Sequence, residues 1–173
     1  YVPNKFGSGI VVPIVKDKLG DHSNKDNYRG ITLCSILAKL FEICLLEKFK
    51  AFLNTHDLQF GFKPGVGCSQ AVYALQHVVD YFVKRGSTVY VAALDASKAF
   101  DRVLHVRLFD KLKDCKVPLC FIRCVENMYS KLYAVVRWNG CISKPFSIGA
   151  GVRQDGVLSP ILFNLYVNDL IDT

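Results

Sequence analysis

The sequence predicts an α+β fold (mixed α/β) in a single unit. Three observations carry this: apolar periodicity switches between strand-like and helical stretches, an Asn139-Gly140 hairpin signal lies late in the chain, and no repeat, low-complexity tract or linker divides it. At 173 residues the chain is one compact domain at most, or a piece of a larger one.

The elements follow in order. GIVVPIVK at 9–16 reads as a strand, then come a polar loop, DKLGDHSNKDNYRG, and a short apolar ITL. From Ile36 the period becomes helical, with Leu37, Leu40, Phe41, Cys44, Leu45 and Phe52 on one stripe, reaching about Asn54. Lys39, Glu42, Glu47 and Lys50 lie off that stripe. A glycine-rich loop, FGFKPGVGCS at 60–69, precedes a second helix with Ala71, Leu75, Val78, Val79 and Phe82 on one face, ending at Arg85-Gly86. TVYVAAL at 88–94 is apolar on both alternations and predicts a central, two-sided strand. VLHVRLFDKLKD reads as a helix, and PLCFIRCVENMYS as another opened by Pro118. Asn139-Gly140 joins two strand-like runs as a hairpin. After the loop GAGVRQDGVLSP, Ser159 is the expected N-cap, and Pro160 the first residue, of a last helix.

Hydrophobic residues make up 51% of the chain, and the mean hydropathy of +0.22 is high for a soluble domain. No apolar run approaches the roughly 20 residues of a membrane span, and no signal-peptide pattern opens the chain. A domain cut from a larger protein, with faces meant to be covered, accounts for this composition, and no membrane association is expected. A net charge of +7 favours polyanionic partners, nucleic acid above all; the alternative is a generally basic surface. The seven cysteines lack the paired spacing of a zinc site and read as buried free thiols in a reducing compartment, hence an intracellular setting in cytoplasm or nucleus.

LDASKAFD at 94–101 drives an apolar run into a carboxylate, Asp95. Ligands of sheets with packed helices sit beyond strand carboxyl ends. An acid there either caps a turn or grips a divalent metal, Mg²⁺ needing only one or two protein carboxylates. Spacing alone leaves both open, and nothing in it brings Asp101 to the same ion.

The surrounding residues carry a resemblance. LDASKAFDRV resembles the motif A block of reverse transcriptases, in the form seen in LINE-type non-LTR retrotransposons. NYRGITL at 27–33, QFGFKPGVGCSQAV at 59–72 and GVRQDGVLSPILFNLYVNDL at 151–170 are similar to three further blocks of that family, in the family's order. The resemblance implies the fingers (about 1–86) and palm (about 87–173) of a right-hand, RNA-directed DNA polymerase. It implies two-metal nucleotidyl transfer with Mg²⁺ or Mn²⁺, an RNA template, a DNA primer and dNTPs, and a parent polyprotein with room for an endonuclease domain. Carried over residue by residue, Asp95 is the catalytic metal ligand and the Ala96 backbone carbonyl a second oxygen ligand. Phe100 is the aromatic under the incoming sugar, Gln154 lies near the nucleotide, and Arg29 clamps triphosphate oxygens. Gly151 and Gly156 let backbone approach the nascent pair, and Lys63 with Gly65 and Gly67 tracks template or primer. Lys16 and Lys18 align loosely and read better as solvated loop lysines, and Asp101 is expected to bond locally.

Three departures qualify this. The family's second acidic turn is missing from the sequence, so the segment is expected to stop short of that turn and of the thumb, and to be inactive alone. The family usually has glycine at Asp155, whose charge is expected to oppose a triphosphate and raise the KM for dNTP. Gly30 stands where many relatives have proline. A catalytically inactive relic with at most nucleic-acid binding is the competing expectation.

Overall fold

A computed structural model describes residues 2–171. Strands β1 (Ser8–Val15) and β2 (Tyr28–Cys34) pair antiparallel, Val15 opposite Tyr28 and Gly9 opposite Cys34. The helix α1 (Ile36–Phe49) follows and closes in a 3-10 turn at Lys50–Phe52. The exposed helix α2 (Cys68–Val83) is separated by irregular chain from α3 (His105–Asp114) and α4 (Leu119–Tyr129). Then come β3 (Tyr133–Trp138), β4 (Cys141–Ile142), β5 (Phe146–Ser147) and α5 (Ser159–Tyr166).

The sheet order is β2-β1-β3-β4, with β5 also on β3. β1 lies parallel to β3, Ser8 opposite Tyr133 and Val11 opposite Val136, so the sheet joins strands 125 residues apart in sequence. The hairpin expected at Asn139-Gly140 forms, both residues taking positive φ (46° and 78°) as a type I′ turn requires. The core gathers α1, α3, α4 and α5 around Leu108, Leu112, Phe121, Val125, Leu162 and Leu165, all fully buried. No helix among the described residues is long and apolar enough to cross a membrane.

Three expectations are corrected. Residues 88–94 form no strand: the segment is irregular, Tyr90 is 92% exposed and Leu94 fully so. A strand exists only by pairing, and no described strand pairs with this segment; alternating apolarity records what a segment can bury, not whether a partner is at hand. The buried face of α1 is Ala38, Glu42, Leu45 and Phe49, while Leu37, Leu40, Cys44 and Phe52 are exposed. The helix is apolar nearly all round, so periodicity does not choose its face. A small Ala38 and a hydrogen-bonded Glu42 do. Ser159 is the first residue of α5 rather than its cap; Leu158 takes the cap position, with no side-chain bond.

Candidate functional site

Where α1 meets the loop 151–158, an acid is buried. Glu42, 1% exposed, accepts from the Leu158 amide (3.1 Å) and from Arg153 Nη1 (3.4 Å). The same Nη1 donates to the Phe6 carbonyl at 2.7 Å. One turn earlier, Lys39 Nζ meets Asp155 Oδ2 at 2.7 Å, and this bond raises the lysine's pKa. Burial pushes the neighbouring Tyr129 phenol up, where it stays neutral. Two ion pairs from successive turns of one helix thus fasten the loop, and Asp155 spends its charge on Lys39 rather than on the cleft described next.

The loop is also tied to the 100–103 turn. The Val152 amide donates to the Phe100 carbonyl (2.8 Å), and the Gly151 amide to Val103 (2.7 Å). Gly151 has φ +91°, and a Cβ there would lie 3.0 Å from Asp101 Cα, so glycine serves both the conformation and the close approach. Gln154 Nε2 donates to Asp101 Oδ1 at 3.0 Å.

Beside these ties opens a cleft of about 540 Å³. Arg29 and Lys16 enter it from β2 and the end of β1, Phe100, Asp101 and Lys98 from the 98–102 turn, Gln154 from the loop, and Phe62 from the glycine-rich segment. Arg29 makes no ion pair among the described residues and is exposed. Lys16 Nζ donates to the Asp26 carbonyl (2.8 Å). Lys98 bonds the Asp26 carboxylate (3.0 Å) and holds it below the ordinary carboxylate range. Phe100 packs between the tilted rings of Phe62 (centroids 5.7 Å, planes 50° apart) and Phe163 (4.9 Å, 40°). Three cations around an aromatic wall suit a flat, polyanionic small molecule. A second hollow of about 300 Å³ adjoins the cleft and shares Gly30, Asp101 and Gln154 with it; Gly151 lines that one.

Arg29, Phe100 and Gln154 therefore come together, with Lys16 beside them, whereas Lys18 stays in the exposed loop. Asp95 and Ala96 do not line the cleft; both lie in the exposed, irregular stretch before it. Gly156 faces inward, a Cβ there meeting Ser159 Oγ at 2.5 Å and Glu42 Oε2 at 3.2 Å. Lys63 does not line the cleft but a separate hollow, donating to the Thr55 (3.3 Å) and His56 (2.7 Å) carbonyls, while Gly65 lies open and Gly67 has only Gln70 near it. No group of three metal-ligating side chains exists among the described residues; all seven cysteines are free thiols, but, against expectation, none is buried. Sequence reasoning missed Phe62 and Lys98, although both stand inside quoted blocks, and it missed Glu42, for which periodicity gives no signal.

Residues 15–173 match the family model described as reverse transcriptase (RNA-dependent DNA polymerase). The chain is 32% identical over 147 residues to the Pol polyprotein of the type-2 retrotransposable element R2DM of Drosophila melanogaster, covering 85% of this chain and 14% of that protein. It is 30% identical over 177 residues to a probable RNA-directed DNA polymerase from transposon X-element of the same fly, covering 98% and 19%. Against the Pol polyprotein of the type-1 retrotransposable element R2 of Popillia japonica, identity is 27% over 172 residues, covering 99% and 24%. The chain thus spans less than a quarter of the length of each of these relatives.

Proposed function

From the premise that this chain belongs to the reverse transcriptase family, the family of RNA-dependent DNA polymerases, we propose that it forms the nucleotide-binding part of an RNA-directed DNA polymerase. Residues of about 1–86 serve as fingers and of about 87–173 as palm. RNA template, DNA primer and dNTPs are the substrates. One observation carries the reading: Arg29, Phe100 and Gln154, drawn from three separate family blocks, line one cleft.

Each has a task its chemistry suits. The Arg29 guanidinium binds triphosphate oxygens bidentately. The Phe100 ring walls the sugar and leaves no polar partner for a 2′ hydroxyl. Gln154, oriented by Asp101, faces the nucleotide. The positive cleft and the net charge of +7 draw polyphosphate and nucleic acid.

A divalent metal is not accommodated by these residues alone. Asp95 with the Ala96 carbonyl is one arm of such a site. Asp101 is engaged by Gln154, and no group of three metal-ligating side chains is found among the described residues.

The test is Asp95→Asn in a full-length polymerase carrying this sequence. Primer extension is expected to be lost, with folding and primer–template binding near wild type. Nearly full extension would make Asp95 a capping residue and sink its catalytic role.

A further inference from the structure

Four non-glycine residues among those described hold left-handed backbone: Phe62 (φ 53°), Lys98 (52°), Lys116 (55°) and Asn139 (46°). Two have ordinary reasons. Asn139 makes the hairpin turn. Lys116 ends α3, where the Val117 amide reaches back to Leu112 (3.0 Å), as helix termini commonly do. Phe62 and Lys98 lie in turns at 61–62 and 97–99 that belong to neither a hairpin nor a helix end, and both line the same cleft. For a bulky residue this conformation is strained, and strain persists where surrounding structure imposes it, often at a ligand site.

What imposes it on Phe62 is a buried amide. Asn164 on α5, 1% exposed, donates Nδ2 to the Gly61 carbonyl (2.6 Å) and accepts from Gln59 Nε2 (2.9 Å). The backbone on the N-terminal side of Phe62 is thus held from below. The ring itself gains little burial in return: Phe62 is 61% exposed, yet it leans on Phe100 at 5.7 Å. A strained backbone that presents an exposed aromatic to a cleft is better explained by a ligand than by packing.

We propose that Phe62 is a specificity-determining residue of the cleft: it pins the outer face of the Phe100 ring and, with it, leaves a 2′ hydroxyl between apolar walls without a hydrogen-bond partner. The inference rests on the nucleotide-binding reading of the cleft. Removing the Phe62 ring frees Phe100 to tilt away, and ribonucleotides enter more readily.

The experiment measures kcat/KM for dNTP over rNTP, and melting temperature, in a full-length polymerase carrying this sequence. Phe62→Gly removes ring and strain together, Phe62→Leu removes the ring and keeps the strain, and Phe62→Tyr keeps both. Phe100→Val reports on the cleft itself. Glycine and leucine variants should each lose roughly tenfold in sugar discrimination, part of the roughly 100-fold by which an apolar pocket rejects one added hydroxyl. The tyrosine variant should retain it, and the glycine variant should melt above the leucine one. Unchanged discrimination in the glycine and leucine variants, with a loss in Phe100→Val, overturns the role of Phe62 and leaves the cleft reading intact. Unchanged discrimination in all three overturns both.

Discussion

Glu42 and Arg153 form a buried ion pair, 3.4 Å apart and 1% and 6% exposed, across the junction of α1 and the 151–158 loop. The arginine's Nη2 has no partner among the described residues, so the pair already runs with one unmet donor. Glu42→Gln leaves a buried guanidinium uncompensated and should destabilise the chain by about 3 kcal/mol in urea denaturation. A loss below about 1 kcal/mol, the scale of an exposed pair, would mean that solvent reaches the site.

Asp155 answers to Lys39, 2.7 Å away. Sequence comparison had it opposing the triphosphate, with glycine as the better residue. Its pairing reverses that expectation. In a full-length polymerase, Asp155→Gly should leave the KM for dNTP unchanged or raise it, by freeing the loop that bears Gln154. The swap Lys39→Asp with Asp155→Lys should recover what either reversal alone loses. Steady-state kinetics on the set decides, and a lower KM for the glycine variant returns Asp155 to the cleft.

Gly151→Ala tests the tie between the loop and the 100–103 turn. The added Cβ sits 3.0 Å from Asp101 Cα and 3.1 Å from the Phe100 carbonyl oxygen, at a φ of +91°. A loss of about 2 kcal/mol is expected in urea denaturation, with weakened protection of the Val152 amide in hydrogen exchange. Wild-type exchange at Val152 would show that the turn yields at no cost.

Acid should release the 98–102 turn from the Asp26 loop. Lys98 holds the Asp26 carboxyl below its unfolded value, so the contribution is present above that value and fades as pH falls through the lower, folded one. Comparing wild type with Asp26→Asn, the difference in melting temperature should be constant near neutral pH and shrink below about pH 4. A difference that persists in strong acid would mean the carboxylate is not what Lys98 holds.

How much of this was legible beforehand depends on what each residue needed to know. The hairpin at Asn139 was readable because its turn is local. Arg29, Phe100 and Gln154 were readable because blocks name them. Glu42 was not: its burial depends on a guanidinium 111 positions away, and an acid in a helix reads as solvent-facing. The 88–94 run misled for the converse reason, since its apolarity specifies a partner that no described strand provides. Phe62 sat in plain view between glycines, but φ is not written in composition.

The placement of β1 between β2 and β3 has a kinetic side. Antiparallel pairing joins β1 to β2 across 13 residues (Val15 opposite Tyr28) to 25 (Gly9 opposite Cys34), whereas Ser8 waits for Tyr133, 125 residues on. On a ribosome adding about 5–20 residues per second, the first pairing is available within seconds and the second arrives roughly 10 s later. Closing so long a loop is also what slows refolding in high-contact-order sheets. For that interval β1 presents an open edge over Ser8–Val11. Pro13, just beyond the stretch that β3 will cover, lacks an amide donor and limits how far a stray strand can extend along it. On that edge of β1 the proline lies where the later partner does not need the hydrogen bond.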